Sequence, residues 1–334
     1  MSFSSTTKNE LCQIRGEDRC CQIAELSALI KISGSIGYSR GKGLSLTLTT
    51  ENPAIARRIF TSFKRIFGMS AEILIKQNRM LKKANTYMIV VQGAEEILKT
   101  LKIIEASEGN FRFENGIPEG IENKECCIRA YLRGVFLGGG SLSDPEKGYH
   151  LEIVANDEPY ALALTRMMGH YDLTPHIILR KNHWVVYVKE GDQIVDFLNV
   201  IGAHTILLEF ENIRILKQMR NDVNRLVNCE TANLNKTVES SYHQMEDIEY
   251  IRDRVGLDYL SDQLREVAQI RLENREATLK EIGELMDPPL GKSGINHRFR
   301  KIEKIAAEFR ERLEEAPKQG AKAEVSETSE ILEQ

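Results

Sequence analysis

No run of about 18 apolar residues occurs in the 334-residue chain, so the sequence predicts no membrane span. Its first residues, MSFSSTTKNELCQIRGED, lack the apolar core of a secretion signal. The six cysteines, at 12, 20, 21, 126, 127 and 229, include no C-x-x-C pair, and no Cys/His spacing of a zinc site accompanies them. The expectation is therefore reduced thiols in the cytoplasm, with no metal and no cofactor. An excess of positive charge is also missing. The net charge is −4, which confines any nucleic-acid contact to a local patch. What is present is the composition of a globular protein, with 42% hydrophobic and 28% charged residues. The length exceeds one ordinary core and implies two domains or three.

The chain repeats itself. Residues 24–36, AELSALIKISGSI, align without a gap on residues 130–142, AYLRGVFLGGGSL, at an offset of 106. Ala24 falls on Ala130, Leu26 on Leu132, Ala28 on Gly134, Gly34 on Gly140 and Ser35 on Ser141, and Pro53 and Pro159 keep the offset. After the first of these helices, Leu44, Leu46 and Leu48 alternate with Ser45, Thr47 and Thr49, the pattern of a strand with one buried face. An amphipathic helix (PAIARRIFTSFKRIF, or EPYALALTRMMGHY) follows in each copy, then two strands (AEILIK and TYMIVVQ, or HIILR and HWVVYV) and a closing helix. Each copy thus reads helix–strand–strand–helix–strand–strand–helix, and the copies span about 20–105 and 126–203. The expectation is a pseudo-twofold α+β domain over residues 20–205, preceded by an N-terminal segment, 1–19. Ala24, Ala28, Ala130, Gly134 and Gly138 form a stripe of small residues along the two leading helices. Such a stripe lets helix backbones approach, so these helices are expected to pack on each other.

This pattern resembles the LAGLIDADG homing-endonuclease fold, with Leu26–Gly34 (LSALIKISG) and Leu132–Gly140 (LRGVFLGGG) as the matching segments. The resemblance implies that the two helices form the interface and that a four-stranded sheet from each half makes a saddle on duplex DNA. In that family the last acidic position binds the catalytic metal. Here it falls on Ser33 and Gly139, and the other acidic position falls on Lys31 and Leu137. Metal-dependent phosphodiester cleavage needs carboxylates, so nuclease activity is not expected. Basic residues suited to saddle contacts are Lys42, Lys76, Arg79, Lys82 and Lys83, with Arg180 and Lys181 in the second copy.

From His204 the texture changes. Residues 206–236 read as a connecting helix that ends in an Asn/Thr-rich loop, NCETANLNKT. A helical domain is expected at 237–313. Within it, ATLKEIGELM ends at Asp287-Pro288-Pro289, and Ser293 is placed as N-cap of a helix burying Ile295, Phe299, Ile302, Ala306 and Phe309. Helix, short turn and basic helix over 277–312 is the helix-turn-helix pattern. Residues 291–312 hold seven Lys or Arg against three Glu, a local net charge of +4. Ser293, Asn296, His297 and Arg300 are the candidates for base contacts, Lys292, Arg298, Lys301 and Lys304 for phosphates. The acidic tail, 314–334, carries no fold signal and is expected to be disordered.

A degenerate LAGLIDADG-like double repeat joined to this C-terminal segment, with NCETANLNKT between them and LKEIGELMDPPLGKSGINHRFRKIEKIA at the end, resembles the WhiA family. The resemblance implies a non-catalytic, cytoplasmic, nucleoid-associated transcription regulator that binds double-stranded DNA. It also implies roles in cell division, chromosome segregation and, in spore formers, sporulation. Two other readings are a scaffold whose first domain binds a protein partner and a metal-dependent endonuclease.

Overall fold

The computed structural model describes residues 2–15, 18–39, 43–77, 85–107, 110–114 and 116–327, with the side chains of 106, 107, 110 and 313–327 left aside. The chain divides into two compact units, Met1–Arg220 and Asn221–Gln334.

The first unit opens with α1 (Phe3–Leu11), a helix within the N-terminal segment 1–19. The first repeat follows as α2 (Arg19–Ser33), β1 (Gly34–Ser39), β2 (Gly43–Thr50), α3 (Pro53–Phe67), β3 (Glu72–Gln77), β4 (Asn85–Gln92) and α4 (Glu95–Thr100). A small hairpin, β5 (Ile104–Ser107) and β6 (Asn110–Phe113), leads to the second repeat. That repeat runs α5 (Glu125–Gly139), β7 (Gly140–Leu142), β8 (Leu151–Ala155), α6 (Glu158–Gly169), β9 (His176–Arg180), β10 (His183–Val188) and α7 (Gly191–Ile201). The sheets have the same antiparallel order, β1-β2-β4-β3 and β7-β8-β10-β9.

The repeat is visible in the capping chemistry. Asn52 Oδ1 accepts from the Ala54 amide at 2.8 Å, and Asp157 Oδ1 from the Tyr160 amide at 2.8 Å, each beside a proline in the first turn. Both caps satisfy amides that a helix start leaves orphaned, and proline has none to lose. Leu44, Leu46 and Leu48 turn into the core beneath the first sheet, as Leu151, Ile153 and Ala155 do beneath the second.

The small-residue stripe lies between α2 and α5. Ala24, Ala28 and Ala130 are buried there. A Cβ on Gly134 would stand 2.4 Å from the Glu25 carbonyl oxygen, so only glycine permits this approach. Beside it sits a buried charge cluster that sequence reasoning missed. The carboxylate of Glu25, 3% exposed, accepts from Arg133 Nε at 2.7 Å and from Arg58 Nη2 at 2.6 Å. Arg58 Nε binds its other oxygen, and Arg58 Nη1 reaches the Ile14 carbonyl at 2.8 Å. Pairing and hydrogen bonding offset the desolvation of all three charges.

The Asn/Thr-rich loop expected near residue 230 is not a loop. One helix, α8 (His204–Val255), runs through it. No glycine or proline interrupts those 52 residues, and Thr237 Oγ1 bonds back to the Asn233 carbonyl at 2.9 Å. Asn and Thr cost only tenths of a kcal/mol each in a helix interior, about 0.5.

The second unit adds α9 (Asp262–Glu273), α10 (Leu279–Glu284) and α11 (Lys292–Glu327). Its core is Ile248, Ile251, Leu260, Val267, Ala268, Ile282, Met286, Ile295, Phe299, Ile302 and Ala306. The helix α11 continues past residue 313 to Glu327, so the tail expected to be disordered is helical over 314–327. Glu, Ala, Lys and Gln dominate that stretch and favour helix.

Candidate nucleic-acid interface

Two places could meet DNA: the outer faces of the sheets, and the helix-turn-helix. In the first unit, the positions where LAGLIDADG nucleases carry acids close α2 and α5. Ser33 Oγ donates to the Leu29 carbonyl at 2.7 Å. At Gly139 a Cβ would lie 2.6 Å from Ile32 Cγ2 and 3.0 Å from the Val154 carbonyl oxygen, so no acidic side chain fits without displacing its neighbours. The glycines at 138 and 139 are thus packing positions against Ile32. Among the described residues, no three carboxylate or histidine side chains gather at this end.

The saddle candidates separate. Lys42, Arg79, Lys82 and Lys83 lie outside the described residues. Lys76, opposite Thr86, is exposed on the outer face of the first sheet. Arg180 is exposed on the second sheet but approaches Glu152 at 3.7 Å, which cancels part of its charge. Lys181 occupies the β9–β10 turn with φ of 46°. The outer face of the second sheet also carries an aromatic cluster, His150 and His176 on either side of Tyr187 at 5.8 and 5.5 Å.

The helix-turn-helix is built more tightly. Thr278 and Glu281 form a reciprocal capping box at the start of α10, with Thr278 N donating to Glu281 at 2.7 Å and Glu281 N to Thr278 at 3.3 Å. Those bonds hold the Glu281 carboxyl below its usual range. The turn closes where the Leu290 amide donates to the Gly283 carbonyl at 2.8 Å. A Cβ on Gly283 would lie 2.0 Å from the Leu290 carbonyl oxygen, so α10 must carry glycine here. Arg271, 2% exposed, donates to the Ala277 carbonyl at 2.5 Å and places its guanidinium 5.3 Å from the Phe299 ring. Burial pulls it down to about 10. This arginine is a staple of the fold rather than a DNA contact, and its apolar setting between helices was invisible in the sequence.

Ile295, Phe299, Ile302 and Ala306 bury one face of α11. The face turned away from them carries exposed Ser293, His297, Arg300, Lys301 and Lys304, with Lys292 exposed at the helix start. Ser293 does not cap the helix. The helix begins one residue earlier, at Lys292, and the Ile295 amide bonds to the Gly291 carbonyl at 3.2 Å. Asn296 is half-buried on the flank, and Arg298 leans toward α9, where Nη1 meets the Gln263 carbonyl at 3.4 Å. Phe309 is only partly buried, at 5.1 Å from the Tyr259 ring.

Comparison with known proteins agrees with this architecture. Family models match in order: the WhiA N-terminal LAGLIDADG-like domain over residues 19–104, the WhiA LAGLIDADG-like domain over 128–220 and the WhiA C-terminal HTH domain over 223–306. A probable cell division protein WhiA from Alkaliphilus oremlandii is 53% identical over 315 residues, covering 93% of this chain and 98% of its own. A protein of the same description from Thermoanaerobacter sp. is 50% identical over 316 residues, covering 93% of this chain and 99% of its own. The crystal structure of full-length DUF199/WhiA from Thermatoga maritima aligns over 92% of this chain and 99% of its own, at 27% identity and a TM-score of 0.58. With its tandem LAGLIDADG-like repeats and its C-terminal helix-turn-helix, the chain belongs to the WhiA family.

Proposed function

We propose that this protein is a non-catalytic, sequence-reading DNA-binding regulator that acts in cell division. The observation that carries the reading is α11. Its apolar face is packed, and its free face presents Ser293, His297, Arg300, Lys301 and Lys304 to solvent at the N-terminal end, where a recognition helix meets base edges. Arg300 has the geometry for bidentate contact with guanine, and Asn296 can reach a base only from the flank. Lys292, Lys301 and Lys304, with Arg298 at the α9 side, suit phosphates. The curated relatives named as probable cell division proteins support the process. Transcription regulation, chromosome segregation, sporulation in spore formers, and a nucleoid-associated place in the cytoplasm belong to the same proposal. The absence of catalysis rests on Ser33 and on Gly139, where packing refuses an acid.

Fluorescence anisotropy of the full chain on duplex DNA across a salt series tests this. Arg300→Ala should lose about 1–3 kcal/mol on a preferred site and little on random DNA. Lys304→Ala should weaken all duplexes alike and lower the salt slope by about 1. Equal losses on every sequence for Arg300→Ala would remove the base-reading role. Plasmid cleavage with Mg²⁺ or Mn²⁺ would overturn the non-catalytic reading.

A second reading concerns the sheets. Leu74 and Ile178 are 46% and 49% exposed on their outer faces, and Arg180 is partly neutralised by Glu152. That surface favours a protein partner over a polyanion. Unchanged DNA affinity and salt slope for Lys76→Ala would support it.

A further inference from the structure

The offset of 106 that relates the repeats also carries Cys20 onto Cys126 and Cys21 onto Cys127. Each pair lies in the first turn of an interface helix, α2 or α5. Because those helices pack on each other, the pairs meet. Cys20 and Cys21 have their sulfurs 4.0 Å apart, as do Cys126 and Cys127, and all four sulfurs lie within 4.8 Å of one another. The C-x-x-C spacing of a zinc ribbon is absent because the two halves of the site come from two repeats.

We propose that these four cysteines bind one Zn²⁺ ion through four thiolates, joining the repeats at the start of α2 and α5. Four sulfurs at about 2.3 Å from a tetrahedral zinc stand about 3.8 Å apart, so the observed cluster needs to contract by at most about an ångström to close on the ion. Mutual proximity of all four sulfurs suits a single ion. A polynuclear iron cluster spreads its thiolates over several irons.

The surroundings suit a thiolate site. Neither helix start is capped by its N-cap side chain, and all four cysteines lie in the first turns, where the positive helix ends favour thiolates. Lys124 adds a cation close to Cys20. The buried hydroxyl of Tyr171, near enough to feel the charge of Cys126, has no hydrogen-bond partner among the described residues. Cys21 and Cys127 are buried, Cys20 is half-buried and Cys126 is exposed, so the site is sheltered yet has an entry. Binding exchanges thiol protons for the ion, with no redox step.

The location gives the ion a structural task. From Cys20 to Ser33 is thirteen residues of helix, about 20 Å, so the site sits at the opposite end of the interface from the degenerate nuclease centre. A closed four-thiolate site there holds the repeats together and leaves no open position for catalysis.

The test uses the full chain purified under reducing conditions, with zinc measured by inductively coupled plasma mass spectrometry. About one zinc per chain is expected. Cys126→Ser, an exposed position, and Cys20→Ser should each retain less than a tenth of it, with circular dichroism confirming that they fold. Cys229→Ser, distant in sequence and exposed, should retain all of it. Cobalt added to the metal-stripped, reduced protein should give the intense visible bands of tetrahedral thiolate coordination, absent in Cys126→Ser. Reduced wild-type protein that takes up neither zinc nor cobalt would overturn the proposal. So would full zinc occupancy in Cys126→Ser.

Discussion

Ala28 and Gly134 occupy the same position in the two repeats and face each other across the helix pair, where a Cβ on Gly134 would stand 2.8 Å from that of Ala28. Twofold-related positions must meet near the axis, and one of the two has lost its side chain to let the backbones close. Gly134→Ala should therefore destabilise the first unit by about 1–3 kcal/mol. Gly148→Ala, which meets open space, should change it by less than about 0.5 kcal/mol. Urea midpoints at constant m-value distinguish the two.

The Glu25 carboxylate pairs with both Arg58 and Arg133, and both arginines are largely buried. Glu25→Leu leaves two guanidinium groups without that countercharge. The expected loss is about 3–5 kcal/mol, near the cost of breaking a buried pair. Thermal melts should show the transition of the first unit falling by roughly 10 °C while that of the second stays in place.

Gly283 is the corresponding test of the helix-turn-helix. Gly283→Ala drives a methyl group into the Leu290 carbonyl, and Gly291→Ala, one turn on, meets nothing. The first should cost about 2 kcal/mol or more and weaken DNA binding by distorting the turn, the second should leave both nearly unchanged. Comparable DNA affinity for the two variants would show that the turn tolerates movement.

Lys8 gives a pH dependence. Burial holds its ammonium down to about 8, with Cys12 acting in the opposite direction. Between pH 8 and the ordinary lysine value of 10.5 the unfolded chain binds more protons than the folded one, so this group's contribution makes stability rise with pH across that window. The penalty is fully present below pH 8. Lys8→Met should thus stabilise the first unit by about 1–2 kcal/mol at pH 7, an advantage that shrinks as pH approaches 10. Chemical denaturation at pH 7, 9 and 10 measures it.

Much of the fold was legible because it is periodic. Leu44, Leu46 and Leu48 alternate as a half-buried strand must, and the offset of 106 revealed two copies. The alternation of Ile295, Phe299, Ile302 and Ala306 likewise exposed the buried face of α11. What escaped depends on proximity between distant segments. Glu25 reads as an ordinary surface acid until Arg133, 108 residues away, is packed beside it. The four cysteines have no telling spacing within either repeat. The Asn/Thr run at 228–237 misled because local propensity is weak against an uninterrupted helix. Ser293 misled because a good capping residue one position inside the helix looks the same in sequence as a cap.

The pairing of Glu25 with Arg133 also fixes which halves can associate. Under the offset of 106, Glu25 corresponds to Tyr131 and Arg133 to Ser27, so the Glu25–Arg133 pair forms only between unlike copies. Two first repeats brought together would bury two Glu25 carboxylates near the axis, each with its own Arg58 but without an Arg133. Two second repeats would bury two Arg133 guanidinium groups without a Glu25. The molecule is in effect a covalently tethered heterodimer whose halves favour the unlike partner, which disfavours like-with-like pairing of repeats from neighbouring chains.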